Sequence, residues 1–377
     1  MRSLRLFVLA SIALPNIAGA DDALPDDNAI QIHGFVSQGA LLTTDNNYLA
    51  NTERGSLAFS EAGINFTKQL DDKLSVGVQL FAQYLGADGN YHANFDWLYL
   101  DYHWRDWLGL RAGRVKLPFG LYNEIQDIDA AQPVVLLPQS VYPEADRQFL
   151  LAQTGIALYG YVPIGDAGSI DYQAYFGTLY FSIPNTIDAT FDPVDVPYIG
   201  GGQVMWNTPL TGLRAGASAY NGKLDVTALA TGAPAPITLD LKQTQWLGSV
   251  EYNNDAFLIA AEYGRSYSTT TEASVTAHQI GEHGYALAGY RWAHWLETTA
   301  YYSLTFPEVG HRSGQANQQN DAALSFRFDI TAHWLVKLEA HYMRGTAALD
   351  SSLNDDEPLT ALTNQWALFA AKTTAYF

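Results

Sequence analysis

Residues 320–345 read NDAALSFRFDITAHWLVKLEAHYMRG. Along 322–330, Ala322, Leu324, Phe326, Phe328 and Ile330 fall on one face, opposite Ser325, Arg327 and Asp329. Thr331-Ala332 interrupts the pattern. It then resumes, with Trp334, Val336, Leu338, Ala340 and Tyr342 on one face and Lys337, Glu339 and His341 on the other. A period of two is a strand whose successive side chains point to opposite faces. Two such runs separated by a short polar break form a hairpin. In a water-soluble protein the apolar face would be core. In a membrane barrel it meets lipid, and the charged face lines water.

The rest of the chain decides between these two environments. The same alternation recurs in sixteen segments: 30–42, 56–69, 74–86, 93–103, 107–116, 152–162, 169–180, 198–208, 212–222, 240–252, 256–267, 283–292, 295–305, 320–330, 333–345 and 364–377. In 94–104, for example, Leu98, Leu100, Tyr102 and Trp104 oppose Tyr99, Asp101 and His103. The separators alternate strictly between short and long. Leu70–Lys73, Trp104–Asp106 and Ala293-His294 are short; 43–55, 117–151 and 346–363 are long and rich in turn residues. Tight turns on one side and long loops on the other are the asymmetry of an outer-membrane barrel. A soluble sandwich has no such rule. The expected fold is therefore all-β: a 16-stranded antiparallel transmembrane β-barrel with short periplasmic turns and long extracellular loops.

Composition agrees. The 377 residues include 23 Tyr, 9 Trp and 31 Gly, and 48% are hydrophobic. Yet no apolar run beyond residue 20 is long enough for a transmembrane helix. Tyr102, Trp104, Trp107, Trp292, Trp295 and Trp334 cluster around short turns, where amphipathic rings would form an interfacial girdle. A net charge of −19 argues against nucleic acid, which needs clustered Lys and Arg. Without cysteine there is no disulfide framework and no thiolate metal site.

The N-terminus has the layout of a secretory leader. Arg2 and Arg5 precede an apolar stretch, and Ala18-Gly19-Ala20 offers a small-residue cleavage site. Residues 1–20 are expected to be a signal peptide, 21–29 a short periplasmic segment and 30–377 the barrel. Phe377 ends the chain beside Tyr376, as the last strand of an exported barrel would.

The loop at 117–151 is too long for an idle connection. It carries Glu124, Asp127, Asp129, Glu144, Asp146 and Arg147 around the apolar run Val134–Leu137. That run needs something to pack against. The inside wall of a wide barrel supplies it, so this third loop is expected to fold inward as the pore constriction. Face parity places Asp101, Arg111, Arg291, Arg327, Lys337 and Glu339 in the lumen, together with Glu251 and Glu262. Carboxylates in the third loop would favour cations.

Leu110-Arg111-Ala112-Gly113-Arg114-Val115-Lys116-Leu117-Pro118-Phe119-Gly120 resembles the segment before the third loop of phosphate-selective porin O/P-like proteins. More broadly the architecture resembles sixteen-stranded trimeric porins. The resemblance implies an inward third loop and anion-guiding basic residues, matched in position by Arg111, Arg114 and Lys116. The expected function is a diffusion porin for ions and small polar solutes in the outer membrane of a Gram-negative bacterium. Its partners would be outer-membrane lipids and lipopolysaccharide, and its assembly a homotrimer. No cofactor or metal is expected. An anion- or phosphate-selective porin and a loop-plugged structural or adhesive barrel are the alternatives. An enzyme is not expected, because G-x-S-x-G, H-E-x-x-H and glycine-rich phosphate loops are missing.

Overall fold

The computed structural model describes residues 29–86, 89–181, 189–233 and 235–377. The expected leader and all of 21–29 except Ala29 lie outside the described residues. The described chain forms β1 (Gln31–Thr43), β2 (Phe59–Asp71), β3 (Leu74–Leu85), β4 (Asn94–Arg105), β5 (Leu108–Lys116), β6 (Ala152–Pro163), β7 (Ser169–Thr178), β8 (Ala189–Phe191) and β9 (Asp195–Asn207). It continues through β10 (Leu213–Ala230), β11 (Ile237–Asn253), β12 (Phe257–Glu272), β13 (Val275–Ala293), β14 (Leu296–Phe306), β15 (Gln319–Thr331), β16 (Trp334–Gly345) and β17 (Gln365–Tyr376). Three-residue β8 pairs with β10 and prolongs the edge of β9. The wall is thus a closed sixteen-stranded antiparallel barrel. Each strand pairs with its sequence neighbour, and β1 pairs with both β2 and β17.

Closure is completed at the terminus. Gly34 and Phe377 exchange two backbone hydrogen bonds, at 3.1 and 3.0 Å. A Cβ at Gly34 would lie 2.6 Å from the tip of the Phe377 ring, which would have to move aside.

Polar side chains shape the short turns. Asp71 Oδ1 accepts the N–H groups of Lys73 and Leu74, and Asn254 Oδ1 those of Ala256 and Phe257. These are the local bonds that make Asp and Asn turn residues.

Two expected loops, 223–239 and 268–282, are instead largely strand. β10 and β11 run on to a turn after Ala230, and β12 and β13 to a two-residue turn at 273–274. Alternation marks a strand only while its two faces meet different media. Beyond the lipid both faces are wet, and β-branched threonines keep the chain extended. Thr227 and Thr238 bond across one ladder at 3.1 Å, and Thr271 and Thr276 across the other at 3.2 Å.

The faces follow parity. Leu98, Leu100, Leu324, Phe326 and Leu338 are exposed on the outside, while Asp101, Ser325, Lys337, Glu339 and His341 are buried inside. Trp104, Trp107, Trp292, Trp295 and Trp334 ring the turn end, and Tyr263, Tyr302 and Tyr342 lie outward towards the loop end. An outward apolar band between aromatic girdles is built for a bilayer. Leu324→Arg is accordingly expected to cost about 2–4 kcal/mol in a lipid bilayer. Urea unfolding from liposomes measures this, and an unchanged midpoint would remove Leu324 from the lipid face.

Candidate functional site: the lumen and its third loop

Residues 117–151 leave β5 and return to β6 across the inside of the barrel. They fold as single 3₁₀ turns at Asn123–Ile125, Asp129–Ala131 and Glu144–Asp146, then one helical turn at Arg147–Leu150. So little regular structure cannot hold itself, and the wall supplies the missing partners.

The first attachment is Asp129. Lys337 Nζ donates to its Oδ1 at 2.9 Å, to its carbonyl at 2.6 Å and to the Val134 carbonyl at 3.1 Å. Thr374 donates to Asp129 Oδ2 at 2.6 Å, and Lys372, paired with Glu61 at 2.7 Å, stands 3.5 Å from Oδ1. A second attachment is Glu339, which accepts the N–H groups of Val135 at 2.7 Å and Leu136 at 3.0 Å. His341 backs it, with Nε2 2.8 Å from Glu339 and Nδ1 3.1 Å from Asp321.

Four strands round the wall, on β12, Glu262 accepts from Tyr142, from Ser249, from Tyr285 at 2.8 Å and from the Leu121 N–H at 3.0 Å. Tyr122 donates to Glu251 at 3.2 Å. The Gly120 N–H donates to Ser218 at 2.9 Å, and its carbonyl accepts from Gln203 at 2.7 Å. Nearer the loop's root, Lys116 pairs with Asp127 at 2.5 Å and Arg147 with Asp96 at 2.8 Å. The Arg147 guanidinium also lies 3.9 Å from the centre of the Phe81 ring. Apolar packing fills the gaps. Val134, Leu137, Val141 and Tyr142 join one buried cluster with Leu247, Tyr285, Leu287 and Tyr301 of the wall.

This geometry redistributes the residues expected at a constriction. Asp127, Asp129 and Arg147 are buried and ion-paired, so they pin the loop rather than face open water. Glu124 is half-buried and accepts from Gln173 at 3.1 Å; Glu144 is also half-buried. Asp146 ends its 3₁₀ turn, and its side chain lies outside the described residues. Lys337 and Glu339, expected to line the pore, are covered by the loop. The reason is charge. A buried ion is tolerable only when paired, so the inward wall groups beneath the loop find partners on it.

Other wall groups stand towards the short turns. Arg111 lies between Tyr99 and Tyr159, 5.2 and 4.4 Å from their ring centres, and pairs with Asp101 at 2.9 Å. Arg214 pairs with Glu251 at 2.9 Å and Arg291 with Glu297 at 2.6 Å. Arg327 pairs with Asp329 at 2.9 Å and donates to the Ala130 carbonyl at 2.7 Å. Arg114 departs from the expectation of a lumenal residue. It stands opposite outward Leu98 across the β4–β5 ladder and donates to the Asp96 carbonyl at 3.0 Å. Gly113, at φ 134°, kinks the strand beside it.

Sequence reasoning missed Glu61, Asp96, Lys372 and Thr374. The inward parity of β17 was the available signal for the last two. Gly120 has the sharpest local requirement. Its φ is 65°, and a Cβ would meet the Tyr142 hydroxyl, Leu247 and Glu262 within 3 Å. Gly120→Ala is expected to cost about 1–3 kcal/mol and loosen the loop. A normal melting profile with unchanged loop proteolysis would contradict this.

No family model and no curated protein sequence matches the chain. Solved structures do. OmpT of Vibrio cholerae, expressed in the outer membrane, aligns with a TM-score of 0.61 at 12% identity, over 94% of this chain and 99% of that one. An anion-selective porin from Comamonas acidovorans aligns at 0.57 and 13% identity, over 93% and 99%. OmpF of Salmonella typhi, in complex with daunomycin, aligns at 0.57 and 12% identity, over 94% and 99%. At such identities the likeness is one of fold: the chain is a closed sixteen-stranded β-barrel with an outward apolar belt, the architecture of these outer-membrane proteins.

Proposed function

We propose that this chain is an outer-membrane diffusion channel for small polar solutes, with a lumen narrowed by the third loop. One observation carries the reading: the loop is tied to widely separated strands of the inner wall, through Asp129 and Glu339 at β16 and β17, Glu262 on β12 and Gln203 on β9. A sixteen-stranded barrel without such a loop is wide and unselective. A loop fixed at several points narrows it to a defined aperture. Homotrimeric assembly and contact with lipopolysaccharide belong to the same reading, and a trimer form of Vibrio cholerae OmpT is among the structures sharing the fold.

Selectivity follows from accessible charge. Asp127 and Asp129 are each neutralised by lysine, so among the described side chains the loop's half-buried carboxylates are Glu124 and Glu144. A modest cation preference is expected. The basic residues that match the phosphate-porin segment do not favour the anion reading, because Arg111 and Lys116 are ion-paired and Arg114 has outward parity.

Single-channel recording in a planar bilayer under a salt gradient tests this. Steady conductance with a small cation-selective reversal potential is the expected result. An anion-selective potential would overturn the charge argument. A second reading, a barrel closed to solutes, has the apolar cluster between loop and wall in its favour. Silence from folded, heat-modifiable protein would establish it. Hydrolysis of peptide or lipid substrates by the same preparation would replace both readings with an enzymatic one.

A further inference from the structure

On the loop side of Ser140 the lumen opens into a cavity of about 200 Å³. A water molecule occupies roughly 30 Å³ in the liquid, so the space suits a small solute rather than one ordered water. Its walls are Ser266 and Ser268 of β12, Gln279, Gly281 and His283 of β13, and Thr305 of β14. All have the inward parity of their strands.

The chemistry of this lining differs from the rest of the lumen. Near the short turns, every inward arginine considered above stands against a carboxylate. Here the inward groups are hydroxyls, an amide and the imidazole of His283, whose Nε2 is bonded to Gln245 at 2.9 Å. The one carboxylate bordering the cavity, Glu282, has outward parity and is held by Arg265 at 3.1 Å, Arg312 at 2.9 Å and Tyr263 at 2.8 Å. Those arginines therefore stand on a carboxylate of the outer face, not on the cavity. Among the described residues the hydroxyls of Ser266, Ser268 and Thr305 have no protein hydrogen-bond partner. Gln279 uses its amide N–H on the Pro307 carbonyl at 2.9 Å, which fixes the orientation of its amide. Ser140 completes the floor, donating to the Gly284 carbonyl at 3.1 Å and bonded to Ser303 at 2.8 Å. Gly281 creates part of the space, since a Cβ there would lie 2.5 Å from Ser266 Oγ.

Rotatable hydroxyls both donate and accept, which suits a neutral polyol, whereas an anion is held best by convergent or charged donors and a cation by carboxylates or carbonyls. We infer that this cavity is a binding site for a neutral, hydroxyl-rich solute of monosaccharide size, positioned on the entry side of the third loop. The inference rests on the diffusion-channel reading for its purpose, since a weak site at the mouth raises local solute concentration before passage. Its measurement does not depend on conduction.

Glucose, inorganic phosphate and putrescine, titrated calorimetrically into the full, detergent-folded protein, test it. Glucose is expected to bind saturably with a dissociation constant on the order of millimolar, and phosphate and putrescine not to saturate. The double substitution S266A/S268A should weaken glucose by about tenfold, and T305V by about threefold. Heat-modifiable migration certifies that each variant is folded. Saturable phosphate or putrescine binding in place of glucose would overturn the inference, as would glucose binding indifferent to all three substitutions. Bilayer recording of the same protein separates the two claims. Glucose binding without conductance removes the channel and keeps the site; conductance without glucose binding removes the site alone.

Discussion

Lys337→Ala is expected to unseat the third loop and destabilise the barrel by about 3–5 kcal/mol. The side chain is fully buried and holds the Asp129 carboxylate and carbonyl and the Val134 carbonyl together. Alanine would leave that carboxylate with Thr374 and with Lys372, which is 3.5 Å away and already engaged by Glu61. Removing one partner of a buried pair costs far more than removing both, because the remaining charge is stranded. Lys337→Met combined with Asp129→Asn should therefore recover at least half of the loss. Urea unfolding in liposomes reads the stability, and single-channel current reads the aperture. The single variant should unfold earlier and conduct more, with larger current noise. Equal losses in the single and double variants would show that the pair is not what holds the loop.

The second large effect is at Glu262. Its carboxylate gathers three hydroxyls and one backbone N–H, from Tyr142, Ser249, Tyr285 and Leu121. Glu262→Leu fills similar volume but leaves these donors without their acceptor. An unsatisfied buried polar group costs about 1–3 kcal/mol. Hydroxyls that can rotate recover part of this, so a total of about 3–5 kcal/mol is expected. Glu262→Gln keeps one carbonyl acceptor and should lose about 1–2 kcal/mol. Trypsin gives a local readout, because Lys116 and Arg147 flank the loop and are both ion-paired to buried carboxylates. In Glu262→Leu the loop should be cut while the barrel stays folded. If loop cleavage stays at the native rate while global stability falls, Glu262 supports the wall and not the loop.

The contrast between β15–β16 and the third loop shows what could be read in advance. Leu324, Phe326 and Leu338 announce lipid because a strand has only two faces, and each face meets one medium along its whole length. The loop has no such period. Nothing local to Val134–Leu137 says that Glu339, some two hundred residues away in sequence, receives its N–H groups. The same limit explains the overlong loops assigned around β10–β13. Once the hairpins leave the membrane the alternation disappears, although the ladder continues.

The sequence by itself determined the barrel: the number of strands, their order, their two faces and the side on which the long loops lie. These depend on hydrophobic periodicity and turn chemistry, which act over a few residues and are written along the chain. Only the tertiary structure decided which charges are available inside. Asp127, Asp129, Lys337 and Glu339 look like pore-lining ions when read along the chain, yet they find partners between the loop and the wall and are withdrawn from the lumen. The physical reason is that burying an ion depends on the partner opposite, and that partner is set by closure of the barrel around the loop.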